Sequence, residues 1–159
     1  MAVVQERGPV EEGGEASDSW TLQTSAALEG DSACIAQARH LAADFLILMR
    51  DEHGVPVAPR SQDIVALVVS ELVTNALKYA PGPLLLSLRI EGETVKISVW
   101  DSDPVLPIAR AADAGRVGQH GLEIVLAVAA SFEARKEIVG KRITVGVTLP
   151  DLPEHHKAT

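Results

Sequence analysis

The run Ser70-Glu71-Leu72-Val73-Thr74-Asn75-Ala76-Leu77-Lys78-Tyr79-Ala80-Pro81-Gly82-Pro83-Leu84-Leu85-Leu86-Ser87-Leu88-Arg89-Ile90 changes its hydrophobic period halfway along. Up to Ala80, the apolar residues Val69, Leu72, Val73 and Ala76 recur at helical spacing. After Pro83, Leu84, Leu86, Leu88 and Ile90 alternate with Leu85, Ser87, Arg89 and Glu91, the period of a strand with one covered face. A helix therefore stops at Pro81-Gly82 and the chain passes directly into a sheet. At roughly 100° per residue, Glu71, Asn75 and Lys78 fall within about 60° of one another, opposite the apolar side. That polar stripe carries a carboxylate, a carboxamide and an ammonium. It has the chemistry to hold Mg²⁺ and a triphosphate; it is equally the composition of an ordinary solvated helix face.

Outward from this run, Glu91-Gly92-Glu93 forms a turn, and Val95, Ile97, Val99 and Asp101 share one face of the return strand. That phase aims Asp101 toward the core side, where a carboxylate is costly unless it meets a donor or water. Upstream, residues 31 to about 52 repeat Ile35, Ala38, Leu41, Ala42, Phe45, Leu48 and Met49 at helical spacing, with Asp31 or Ser32 available as a cap. Gly54, Pro56 and Pro59 break the chain, and Ser61 offers a start for the helix that carries the polar stripe. Residues 102–118, with Pro104, Pro107, Gly115 and Gly118, lack a steady period and suggest a lid. Gly121 to Phe132 is apolar on nearly every side and predicts a buried helix. Two strands, about 133 to 139 and 142 to 149, follow, joined by a turn at Gly140-Lys141. The sum is an α/β (α+β) two-layer sandwich, a mostly antiparallel sheet with three helices on one face. Its outer sheet face, bearing Ser87, Arg89, Lys96, Ser98, Thr144 and Thr148, is expected to be solvated.

The 159 residues fit one domain, here placed at 19–150, between an acidic tail without structure at 1–18 and a flexible tail at 151–159. Hydrophobic residues make up 47% of the chain but aromatics only 3%, so the core must be aliphatic. A formal charge of −8 argues against direct binding of nucleic acid, whose affinity for proteins comes mainly from Lys and Arg. Cys34, the single cysteine, can form no internal disulfide and falls in an apolar helical pattern, as expected of a buried thiol in a reducing cytosol. With no secretory signal pattern and no apolar run near the ~18–20 residues of a membrane span, a cytoplasmic location without membrane contact is expected.

Three segments stand in a telling order: Glu71-Leu72-Val73-Thr74-Asn75-Ala76-Leu77-Lys78-Tyr79-Ala80, Asp101-Ser102-Asp103-Pro104, and Gly118-Gln119-His120-Gly121-Leu122-Glu123-Ile124-Val125. They resemble the N, G1 and G2 boxes of the GHKL (Bergerat-fold) ATPases, whose members include histidine-kinase-like ATP-binding domains. More narrowly, a single domain with an Ala-rich first helix and a Glu-Leu-Val-Thr-Asn-Ala run resembles the anti-sigma-factor serine/threonine kinases of bacteria. The resemblance covers about residues 20–150. It implies ATP and Mg²⁺ as cofactors, with Asn75 as the metal ligand, Lys78 on the phosphates and Glu71 as general base. It further implies Asp101 as acceptor for the adenine amine, and Gly118, Gly121 and Leu122 at a phosphate-binding helix start. Implied partners are a sigma factor, which the chain would sequester, and an anti-anti-sigma protein, which it would phosphorylate; a homodimer is also implied. This chain departs from the pattern at Asp103-Pro104, where the middle box commonly has Gly two residues after its Asp. That departure favours the alternative of a non-catalytic binding module of the same fold, with weak or structural nucleotide binding.

Overall fold

The computed structural model of the chain describes residues 2–7, 20–80, 82–106 and 120–151. Its strands are β1 (Ala2–Arg7), β2 (Trp20–Leu28), β3 (Leu84–Glu91), β4 (Thr94–Asp101), β5 (Ser131–Lys136) and β6 (Lys141–Thr148). The helices are α1 (Ala33–His53), α2 (Pro59–Tyr79) and α3 (His120–Val128). The strands form one sheet in the order β1-β2-β3-β4-β6-β5, with every neighbouring pair antiparallel. α1 packs on α2, β2 and β3, while α2 packs on β4, β6 and α3, so the helices form one layer against one face of the sheet. The expected two-layer α+β sandwich is the observed fold.

Local chemistry sets the helix boundaries. Asp31 Oδ1 accepts the Ala33 N–H at 3.1 Å, satisfying one of the donors that a helix start leaves open, while Ser32 makes no such bond. α1 ends at Gly54, whose φ of 68° is a left-handed cap. α2 begins two residues before Ser61, with Pro59 in its first turn, a position that needs no N–H. The Ser61 hydroxyl is used instead to tie α2 to the end of β6, donating to Thr148 O at 2.9 Å.

The core lies between the layers and is aliphatic, as composition requires. Leu84, Leu86 and Leu88 of β3, Val95, Ile97 and Val99 of β4, and Ile143, Val145 and Val147 of β6 face Leu41, Phe45, Met49, Val65, Val68 and Leu72. Each such side chain, fully buried, contributes about 1.5–3 kcal/mol by leaving water.

Three boundaries differ from the sequence reading. Residues 2–7 lie in the span read as an unstructured tail but form the edge strand β1, paired with β2 from Ala2↔Ser25 to Arg7↔Trp20. An edge strand is held by backbone hydrogen bonds along one side, so β-prone residues such as Val3 and Val4 suffice and no strict hydrophobic alternation is required. The helix expected to reach Phe132 ends at Val128, and it is not apolar-buried all round: Val125 is buried, but Ile124 and Leu126 are exposed. Phe132 instead is the second residue of β5, opposite Val145, and packs against the core. Lys141, read as part of a turn, is the first residue of β6 and is fully buried. Residues 8–19 of the first tail, most of the expected lid (107–119) and residues 152–159 lie outside the described residues.

Candidate functional site

The helical period of α2 places Leu72, Val73 and Ala76 in the core and leaves Glu71, Asn75 and Lys78 on the side that meets α3. There, Glu71, Thr74, Asn75, Lys78, Tyr79, Gly121 and Leu122 border a hollow of about 30 Å³. That space suits a water or a single phosphate oxygen rather than a whole nucleotide. The stripe predicted on α2 and two of the residues predicted at the start of α3 thus meet at one place.

Contact at this junction is close. A Cβ added at Gly121 would overlap Glu71 Oε1 and crowd its Cδ, so only glycine lets the first turn of α3 rest on the Glu71 carboxylate. Lys78 is exposed, with its ammonium 5.7 Å from the centroid of the Tyr79 ring, within cation–π range. The Asn75 side-chain nitrogen is buried without a hydrogen-bond partner. A buried amide donor left open costs free energy that a bound acceptor would recover. The beginning of α3 adds the electrostatics of a helix start, where backbone N–H groups favour anions. A ligand rich in acceptor oxygens, such as a phosphate chain, fits this set, and the Asn75 carboxamide oxygen has the hardness that Mg²⁺ prefers. Among the described residues, no group of three or more His, Cys, Asp or Glu could hold a metal by itself. A Mg²⁺ here would draw most of its ligands from phosphate and water.

Asp101 occupies a different environment. As its strand phase predicts, it points to the core side of β4, only 1% exposed. Its carboxylate is held by Lys141 across the β4–β6 ladder, with Lys141 Nζ 2.9 and 3.0 Å from the two oxygens. Lys141 is 0% exposed. The chain after β4 folds back over the pair: Asp103 N–H donates to Asp101 Oδ1 at 2.9 Å, and Lys141 Nζ donates to Asp103 O at 3.2 Å. Gly140, at φ 79°, closes this arrangement from the β5–β6 turn, where any Cβ would run into the Asp101 carbonyl. Asp101 is thus satisfied from within the chain, and it does not border the hollow at Glu71. Gly118 lies outside the described residues.

Lys141 is the site-region residue that the sequence reading missed, and a signal for it exists. With Ile143, Val145 and Val147 facing inward, Lys141 has the same phase, and an inward cation calls for an inward acid. Asp101 is the inward acid of the neighbouring strand β4.

No protein-family model matches the chain, and no curated protein does. Among solved structures, the histidine kinase domain from Erythrobacter litoralis EL346 blue-light activated histidine kinase is similar at 23% identity and a TM-score of 0.42. The match covers 56% of this chain and 45% of that one, so this chain spans less than half of its length. Among the described residues, no helix is long and apolar enough to cross a membrane.

Proposed function

We propose that this chain is an ATP- and Mg²⁺-dependent serine/threonine protein kinase of the anti-sigma-factor type. In this reading it acts in the cytoplasm, sequesters a sigma factor and is switched by phosphorylating an anti-anti-sigma partner. The observation that carries the catalytic part is the junction of α2 and α3, where Glu71, Asn75 and Lys78 converge on Gly121 around an unpartnered buried amide. The assignment of partners rests on the resemblance of the three sequence boxes. A homodimer is part of the same reading.

ATP and Mg²⁺, when bound, would supply the phosphoryl group and neutralise the charge that builds up around it. Asn75 would hold the metal, Lys78 would lay a point charge against the phosphates, and the first turn of α3 at Gly121 and Leu122 would offer backbone N–H groups. Glu71 would take the proton of the partner's Ser or Thr hydroxyl. In a site with so little covalent chemistry, positioning and charge carry most of the rate. If Glu71 is the base, Glu71→Ala lowers ATP-dependent labelling of the cognate partner at least ~100-fold while ATP still binds. Undiminished labelling by the variant refutes the assignment.

A second reading, a non-catalytic binding module of the same fold, is favoured by one observation: the Asp101 carboxylate is engaged by Lys141 and closed off from solvent. An adenine amine would have to compete with a buried ammonium for its acceptor. The two readings part on phosphotransfer, since only the kinase transfers label to a partner.

A further inference from the structure

The solvent face of the sheet is organised in cross-strand rows. One row runs Ala27, Leu85, Trp100, Arg142, Arg135 from β2 to β5. The next is Ser25, Ser87, Ser98, Thr144, Glu133, and the third is Gln23, Arg89, Lys96, Gly146, Ser131. The middle row is made mostly of short hydroxyl side chains, and Ser98 and Thr144 bond each other at 3.0 Å. Long side chains flank it on both sides. The face is therefore a trough crossing the strands, with a hollow of about 320 Å³ over the hydroxyl row.

Four cations, Arg89, Lys96, Arg135 and Arg142, border that hollow against one carboxylate, Glu133, on a chain whose formal charge is −8. Arg89 leans on the exposed Glu91 and Arg135 on the exposed Glu133 at 2.9 Å, while Arg142 meets the half-buried Glu137 of the β5–β6 turn at 3.6 Å. Exposed pairs of this kind are weak and exchange readily for a better-placed carboxylate. Among the described residues, Lys96 reaches only the Ser131 hydroxyl, at 3.4 Å.

Beside the trough, sharing Arg142 with it, lies a second and apolar depression of about 500 Å³ around Leu85, Trp100 and Val139. The Trp100 indole is pinned by a 2.8 Å hydrogen bond from Nε1 to Val139 O, and Ile138 and Val139 stand out at 103% and 62% exposure. A rigid tryptophan and exposed aliphatics next to arginines have the makeup of a protein-binding hot spot with a charged rim. Pairing with a second copy is disfavoured, because a two-fold interface would set this cationic trough against itself.

We propose that the outer face of the sheet docks an acidic segment of a partner protein, seating one apolar side chain beside Trp100 and laying carboxylates along the trough. The proposal stands whether or not the hollow at Glu71 binds nucleotide. The test uses the full chain and a fluorescein-labelled peptide of Asp and Glu with one central Leu, compared with the same peptide carrying Ser for Leu and with a Lys version. The Leu peptide should bind, weaken with salt, and shift the Trp100 indole N–H resonance. The double variant Lys96→Glu/Arg142→Glu and, separately, Val139→Asp should each weaken it at least ~10-fold while circular dichroism melts stay near those of the parent. The proposal is overturned if the acidic Leu peptide does not bind, if the Ser or Lys peptide binds equally well, or if both variants bind as the parent does. Sedimentation showing self-association that Arg142→Glu abolishes would likewise overturn it, identifying the face as a self-interface.

Discussion

Asp101 and Lys141 face each other across the β4–β6 ladder with almost no contact with water, and their stability consequences can be stated separately from any role in binding. Removing one member strands the other charge in a low-dielectric site, which typically costs about 3–5 kcal/mol, whereas replacing both by apolar residues is often neutral. Asp101→Asn should therefore lower the melting temperature by roughly 10 °C, and Asp101→Leu/Lys141→Met should recover most of the loss. A loss under ~1 kcal/mol for Asp101→Asn in urea titration would show that the pair is not as isolated as its burial indicates. Cys34 makes a second residue-scale test. Burial pushes its thiol above the ordinary 9.0, opposed in part by a backbone hydrogen bond at Gly30 and aided by the Asp31 carboxylate. The folded state thus favours the protonated thiol: that stabilisation is whole below pH 9.0 and is lost as pH rises through the higher folded-state value. Unfolding free energies should accordingly fall more steeply above pH 9.0 for the parent than for Cys34→Ala, and parallel curves would contradict it.

Between elements, the junction of α2 and α3 is where fold and chemistry meet. Gly121→Ala places a methyl group against the flexible end of Glu71 rather than against backbone. Alanine also gains about 0.8–1.0 kcal/mol of helix propensity over glycine, so the fold should survive with little change in melting temperature. If the chain is the kinase proposed above, the displaced carboxylate should nonetheless cut partner labelling at least ~10-fold, a separation of stability from activity that melting and phosphotransfer assays read independently. The pieces of this junction were legible one by one: a 3.6-residue period set the stripe of Glu71, Asn75 and Lys78, and a glycine at the start of an apolar helix marked Gly121. The partner of Asp101 was harder to see. Strand period gives the phase of each side chain but not the register between β4 and β6, which are separated in sequence by α3 and β5 and align only when the sheet assembles. β1 has a faint sequence signal for a different reason, since an edge strand is held by backbone bonds that leave little trace in hydrophobic pattern.

At the scale of the molecule, one helical layer on one antiparallel sheet gives two surfaces with different physics. The helical side carries a small polar hollow between α2 and α3, and the opposite side presents a cationic trough on an otherwise acidic chain. Because the aliphatic core is continuous from α1 through β6, a ligand that binds only the folded chain stabilises the whole of it, and stability becomes a readout for the hollow. The most direct measurement is the melting temperature of the parent and of Asn75→Ala, titrated with ATP in the presence and absence of Mg²⁺. With ATP about 100-fold above its dissociation constant, the parent should gain about 2.7 kcal/mol, a rise of roughly 5–10 °C that depends on Mg²⁺ and disappears in Asn75→Ala. No rise for the parent at millimolar ATP with Mg²⁺, or an equal rise in Asn75→Ala, would contradict the assignment of this stripe to a nucleotide.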